Sequence, residues 1–395
     1  MPESRDRIDA PMSATYFDHN ATTPLDPEVR AAMEPWLGEL HGNPASLHTF
    51  GQAARDAVEV AREKLASLLG ATPAELVFTA SGTESNNTAL IGRCWTADMK
   101  GHLVVSEIEH PSVWKPVSAL QSAGLEVSWV KPDRHGRIDP GRVLAEVRED
   151  TRLVCLMLAN NEVGTLQPVA EVGSGCRERG VPVLCDAVQG VGKVPIRVKD
   201  LEVDYLSLCA HKFYGPLGAA ALWVRSGGEC EALLRGGSQE RQRRAGTVNV
   251  PAVVGLGEAA RVVADELEVR SRKMLELRER FESGLERLPD AVVHGRPAER
   301  LPNTSHIALP GADSEALLIR LDLAGFAVSS GSACSSGTVE PSRTLLAMGV
   351  PKEEASCSLR ISFGPRNTVA EVDAFLDVLE HEVTQLRRLA SGRRP

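Results

Sequence analysis

Between residues 76 and 224 the chain alternates short apolar runs with longer amphipathic stretches. Seven runs have strand character: LVFT (76–79), HLVVS (102–106), EVSWV (126–130), LVCLMLA (153–159), VPVLCDA (181–187), YLSLCA (205–210) and AAALWV (219–224). Most are continuous rather than alternating, the pattern of strands covered on both faces. The intervals between the first six mostly carry helical periodicity, as in SVWKPVSALQSAG and PVAEVGSGCRERG, each closing near a glycine. Such βα repetition predicts a largely parallel, doubly wound sheet. Only HKFYGPLG (211–218) separates the last two runs, and eight residues are too few for a parallel crossover. The last strand is therefore expected to run antiparallel, completing a mixed seven-stranded sheet.

Outside this region, Val58, Ala61, Leu65, Leu68 and Leu69 form the apolar face of a helix over 50–69, closed by Gly70. Residues 255–288 form a long, charge-rich helical stretch, and a second βα-like segment follows from about 300 to 387. The 395 residues are too many for one ordinary core and suit two domains. The expected division is a large domain over 15–266 and a smaller α/β domain over 267–387, with disordered ends at 1–14 and 388–395.

Composition narrows the class. Hydrophobic residues make up 43% and charged residues 25%, the balance of a soluble globular protein. No run approaches the ~18 apolar residues of a membrane span. The polar start MPESRDRIDAPMSATYF does not read as a secretory signal, so a cytoplasmic protein is expected. The net charge of −9, with basic clusters only at ERQRR (240–244) and RRLASGRRP, argues against nucleic acid as a partner. Eight cysteines show no CxxC pair and no zinc spacing, so no metal site is expected. Cys155 and Cys185 sit in apolar runs as small core residues, whereas Cys334 lies in SSGSACSSGT, which has no core character.

The candidate chemistry lies at strand ends. In FTASGTESNN (78–87), Ser81-x-x-Glu84 reads as a capping box, and the Ser-Gly-Thr turn at a helix N-terminus is either an anion cradle or an ordinary cap. Asp186 ends an apolar run and either caps the next helix or meets a cation such as a pyridinium nitrogen. Lys212 follows a buried strand and precedes a rigid turn; it is a solvated tip or, partly desolvated, an amine able to form a Schiff base. His110 could stack on an aromatic cofactor and shuttle protons, or make only local bonds. Asn160 and Asn161 either contact a phenolic oxygen or simply make a turn. Together these five strand ends describe a site for pyridoxal 5'-phosphate.

The motifs FDHNATTPLDP (17–27), GNPASLH (42–48), EHPSV (109–113), NNEVGTLQP (160–168), DAVQGVGK (186–193), HKFYGP (211–216), RRAGTVNV (243–250), SSGSACSSG (329–337) and LRISFG (359–364) run in order along nearly the whole chain. With FTASGTESNN they resemble the NifS/IscS-type cysteine desulfurases, the subgroup with a long catalytic-cysteine loop. The resemblance implies a fold-type I pyridoxal-phosphate transferase of the class-V aminotransferase family: the mostly parallel sheet with helices on both faces, plus a smaller α/β C-terminal domain. It implies that Lys212 carries the cofactor, Asp186 pairs with the pyridine nitrogen, and His110 stacks on the ring and acts as acid or base. Gln189 and Asn161 would contact the ring-oxygen region, and Gly82, Thr83 and His211 the phosphate. Thr247 would reach the phosphate of a neighbouring subunit, implying a homodimer. Asn43 and Arg360 would grip the substrate carboxylate, a role that suits the arginine fork.

The implied reaction converts L-cysteine to L-alanine and leaves sulfur as a persulfide on Cys334. A sulfur acceptor such as an iron–sulfur cluster scaffold would then receive it. The nucleophile is a thiolate, and the Gly/Ser-rich flanks make a mobile loop the expectation. Two features depart from the pattern. Cys209 stands where many relatives place a phosphate-binding serine, and a thiol is the poorer donor. The end RRLASGRRP lacks the scaffold-binding tail of housekeeping members, while the EHP element leans toward the NifS branch. The alternative is another fold-type I enzyme, a selenocysteine lyase or an aminotransferase-like protein, for which SSGSACSSG has no use.

Overall fold

A computed structural model describes residues 14–392 except 97 and 331–340. The chain opens with β1 (Thr15–Tyr16), α1 (Pro27–Leu37) and α2 (Thr49–Leu69). It continues through β2 (Leu76–Thr79), α3 (Gly82–Cys94), β3 (His102–Ser106), α4 (Pro111–Ser122), β4 (Glu126–Val130) and α5 (Pro140–Ala145). Next come β5 (Thr151–Cys155), α6 (Val169–Arg177), β6 (Val183–Asp186), α7 (Val198–Leu201), β7 (Tyr205–Cys209) and β8 (Ala220–Val224). The long α8 (Val250–Gly284) leads to β9 (Val292–His294), β10 (Thr304–Ala308), α9 (Ser314–Leu323) and β11 (Phe326–Ala327). The last elements are α10 (Arg343–Ala347), α11 (Lys352–Ala355), β12 (Ser358–Ser362) and α12 (Val369–Ser391).

Seven strands form the main sheet in the order β2-β8-β7-β6-β5-β3-β4. Strands β4, β3, β5, β6 and β7 are mutually parallel, and β8 runs antiparallel to both β7 and β2. The short 211–218 connection thus has the predicted effect. It also leaves β2 pointing the same way as β7, so six strands end on one edge. The run at 153–159 is apolar throughout, but β5 itself ends at Cys155. Residues 156–159 are buried without being a strand, since burial alone makes a segment apolar.

Two large cores flank the sheet. One packs α1, α2, α6 and the start of α8, the other α3 and α4. A separate core surrounds the three-stranded sheet β12-β10-β9 with Phe281, Leu317, Phe375 and Leu379. Helix α8 contributes Val250 to Val263 to the first and Leu277 and Phe281 to the last. Phe17 belongs to that last core too, stacked among Phe326, Phe363 and Phe375. The start of the chain, expected with the large domain, therefore packs against C-terminal elements, because β1 pairs with β11. At the other end α12 continues to Ser391, so residues 388–391 are helix rather than tail; its apolar repeat reaches Leu386 and Leu389.

Helices α2 and α8 lie close enough that a Cβ on Gly257 would sit 2.5 Å from Ala61 Cα. Such a contact must push the helices apart. Gly257→Ala is expected to destabilise the protein by about 1–3 kcal/mol in urea unfolding; an unchanged midpoint would show that the helices have room to spare.

Candidate active site

The carboxyl edge of the sheet gathers the sequence candidates. Strand β2 leads through Ala80 into Ser81, the N-cap of α3, so Gly82 and Thr83 open that helix with amides that no helical carbonyl meets. Ser81 Oγ accepts from Glu84 N at 3.1 Å, but the Glu84 carboxylate reaches Ala80 N and Arg244 instead of closing the expected reciprocal box. A Cβ on Gly82 would lie 2.7 Å from Val188 Cγ2, so only glycine lets the turn after β6 come this close.

His110 is the N-cap of α4, beyond β3. A hydrogen-bonded chain joins it to the end of β6: His110 Nδ1 to Ser112 Oγ (2.7 Å), Asn86 Nδ2 to Ser112 Oγ (2.9 Å), and Asn86 Nδ2 to Asp186 Oδ2 (2.7 Å). Asp186 Oδ1 accepts from Val188 N at 3.0 Å. Lys212, in the turn after β7, donates from Nζ to the carbonyls of Asn20 (2.8 Å) and Ala21 (2.6 Å). Burial lowers its pKa, and Arg360 adds to this. Burial also lowers the pKa of His110, where the Asp186 carboxylate pulls upward and the Lys212 ammonium downward. The three side chains at 110, 186 and 212 therefore share one electrostatic neighbourhood.

His211 meets Thr22 Oγ1 through Nδ1 at 3.1 Å, and burial holds its pKa down to about 4. Cys209 is buried at the start of α3, receives the Gly82 amide, and its thiol is pushed up to about 12 by burial. Arg360, on β12, donates to Asn161 O (3.1 Å) and Asp18 Oδ1 (2.7 Å), while its Nε is buried without a hydrogen-bond partner among the described residues. Of the asparagine pair, Asn160 turns its amide inward to Ile108 O and the amides of Glu162 and Val163, which leaves Asn161 for any ligand. Asn43 is exposed, its Oδ1 taken by Ala45 N; among the described residues no hydrogen bond joins it to the cleft. Thr247 is exposed. Cys334 lies outside the described residues. The chain just beyond is pinned: Ser342 and Thr344 hydroxyls donate to buried Glu162, and Arg343 lies over the rings of Trp114 and Trp129.

Three residues of the cleft carry no signal that pattern reading picks up. Asn20 accepts from Lys212 and Gln189 through its carbonyl. Lys193 is fully buried and, among the described residues, has no carboxylate partner, bonding Asn20 Oδ1 (3.0 Å) and Gln189 Oε1 (2.5 Å); burial holds its pKa well below the lysine range. Glu109 is buried beside His110, with Oε1 accepting from Ser106 Oγ (2.6 Å) and Met157 N (2.7 Å). All three sit inside quoted motifs, but each also has a partner distant in sequence.

The donor set fits pyridoxal phosphate. A carboxylate suits a pyridinium, an amine of lowered pKa suits an aldehyde, and a helix N-terminus suits a phosphate. Orphaned buried atoms in the same region, Asn86 Oδ1, Ser207 Oγ and Arg360 Nε, leave hydrogen-bonding capacity unused by the protein.

The class-V aminotransferase pattern matches residues 15–375. A protein of Methanosarcina thermophila named cysteine desulfurase IscS is 42% identical over 378 residues, covering 95% of this chain and 94% of its own. One of the same name from Anaeromyxobacter sp. (strain K) is 43% identical over 380 residues, covering 95% and 94%. This chain belongs to the cysteine desulfurases of the class-V aminotransferase family. A solved NifS-like protein superposes with a TM-score of 0.89 at 37% identity, covering 94% of this chain and all of its own. Another, DndA of Streptomyces lividans, does so with a TM-score of 0.74 at 37% identity, covering 89% and 99%. Among the described residues no helix of this enzyme is long and apolar enough to cross a membrane.

Burial raises the Glu109 carboxyl to about 8, and Asp186 adds to this. A folded pKa above the unfolded value means stability that is complete below about 4.5 and lost as pH rises through 8. Glu109→Gln is expected to flatten the fall in urea stability between pH 5 and 8; a slope identical to the parent's would show that Glu109 is already ionised.

Proposed function

We propose that the protein removes sulfur from L-cysteine, releases L-alanine, and carries the sulfur as a persulfide on Cys334 to an acceptor protein such as an iron–sulfur cluster scaffold. The observation that carries this reading is the convergence of His110, Asp186 and Lys212 on one sheet edge beside a buried arginine with an unpartnered Nε.

Pyridoxal phosphate, when bound, supplies an electron-poor ring that stabilises negative charge at the substrate Cα. Lys212 would hold its carbonyl carbon, Asp186 its ring nitrogen, and Gly82, Thr83 and His211 its phosphate. Asn161 and Gln189 would meet the ring oxygen, and His110 the ring face. The Lys212 amine, its pKa lowered by burial, can take a proton from the substrate Cα at Nζ. Arg360, and Asn43 if its loop closes inward, would orient the substrate carboxylate. The Cys334 thiolate attacks the substrate sulfur; the S–S bond forms as the carbon–sulfur bond breaks, its electron pair stays with the substrate Cβ, and that carbon takes one proton to become the methyl group of alanine.

A homodimer is supported by exposed Leu37, Leu47 and Phe50, and by a groove lined by Pro44, Ala45, Ser238, Gln239 and Val248, the neighbour of Thr247. The seven described cysteines are free thiols, as in the reducing cytoplasm.

Purified protein given pyridoxal phosphate, L-cysteine and a reductant is expected to yield alanine and sulfide in equal amounts, and Cys334→Ala to lose both products while still binding the cofactor. Full sulfide release by that variant would instead indicate a lyase that makes no persulfide. A hydroxyl at 209 should donate better than the buried thiol. Cys209→Ser is therefore expected to tighten cofactor binding by about threefold to tenfold in an absorbance titration, and weaker binding would show that the thiol is not at the phosphate.

A further inference from the structure

The hydrogen bonds around His110 admit one consistent set of donors. Ser112 N reaches His110 Nδ1 at 3.1 Å, and a backbone N–H can only donate. Nδ1 is therefore the acceptor, and in a neutral imidazole the proton sits on Nε2. Ser112 Oγ lies 2.7 Å from the same Nδ1, so the hydroxyl donates there as well. Its oxygen in turn accepts from Asn86 Nδ2 at 2.9 Å, and that nitrogen also donates to Asp186 Oδ2 at 2.7 Å. Turning the Asn86 amide over would set its oxygen against a carboxylate oxygen, so Asp186 fixes the direction of the whole chain.

We propose that Ser112 and Asn86 are positioning residues that lock His110 as the Nε2–H tautomer, so that it faces the cleft as a fixed hydrogen-bond donor and not as a base. What that donor meets rests on the cysteine desulfurase reading; where the proton sits does not. To take up a proton, His110 would have to do so at Nδ1, giving up the Ser112 amide that it caps and forcing the Ser112 hydroxyl to turn from donor to acceptor. The charged groups facing it are Asp186 from β6 and Lys212 from the turn after β7; burial together with the lysine outweighs the aspartate, which favours the neutral ring. With His110 closed as a base, the amine of Lys212 is the group left to remove the substrate proton. His110 keeps two roles: a flat face, and an N–H that can steady negative charge growing on a nearby atom.

Deuterium exchange at histidine C2, read by mass spectrometry on the peptide containing His110, measures its pKa in the full-length protein with and without pyridoxal phosphate. In the parent, His110 is expected to titrate below the ordinary imidazole range. In Ser112→Ala, loss of one donor to Nδ1 should raise it by roughly half to one pH unit, and Ser112→Thr should restore the parent value. No rise in Ser112→Ala, or a fall, overturns the lock even if the protein desulfurates cysteine. A rise in a protein that makes no alanine upholds the lock while the functional reading fails. If Ser112→Ala does not fold, neutron diffraction of the parent decides: deuterium on Nε2 alone supports the proposal, and deuterium on Nδ1 refutes it.

Discussion

One buried amide holds the cleft in register. Asn20 is 1% exposed and uses nearly every polar atom it has. Its carbonyl accepts from Lys212 and Gln189, its Oδ1 from Lys193 and Asn303, and its Nδ2 donates to Asn161 O and Thr304 Oγ1. Its backbone N–H meets Ser362 Oγ. These partners come from the turns after β5, β6 and β7 and from β10 and β12, so the amide ties the main sheet's working edge to the C-terminal sheet. A fully satisfied network of this kind specifies geometry, because each atom left unpaired by a shift would carry a desolvation cost.

The charges around that hub are arranged for anions. Burial lowers the affinity of Lys193 and Lys212 for protons; Lys212 and Arg360 lower that of Lys193 further, and Arg360 that of Lys212. Lys193 donates to two amide oxygens, and burial holds its pKa well below the lysine range. Among the described residues, the ion pair of Arg360 is with Asp18. A ligand that brings a phosphate and a carboxylate relieves this imbalance, which is the electrostatic reason why an amino acid bound on pyridoxal phosphate suits the cleft. Next to it, the relay from Asp186 through Asn86 and Ser112 to His110 transmits orientation without moving charge.

Much of this was legible in the chain. Continuous apolar runs marked the strands because both faces of the sheet are covered, and the short 211–218 link marked the antiparallel strand because a crossover needs more residues. Asp186, Lys212 and His110 stood out as polar groups placed directly after buried strands. What stayed hidden depends on long-range partners. Phe17 joins the C-terminal core through β1 pairing with β11, and Asn20 looks like turn chemistry until residues 141 to 342 positions away close around it. Glu109 and Lys193 are charged types that sequence reading assigns to solvent. Glu84 satisfies the capping spacing, yet Arg244, distant in sequence, draws its carboxylate elsewhere.

The central claim is that one particular amine, among two buried side by side, holds the cofactor. Borohydride reduction of the protein loaded with pyridoxal phosphate, followed by peptide mapping, tests it directly. The account predicts a single pyridoxyl-lysine at Lys212 and none at Lys193; an adduct at Lys193, or one spread over surface lysines, would contradict it.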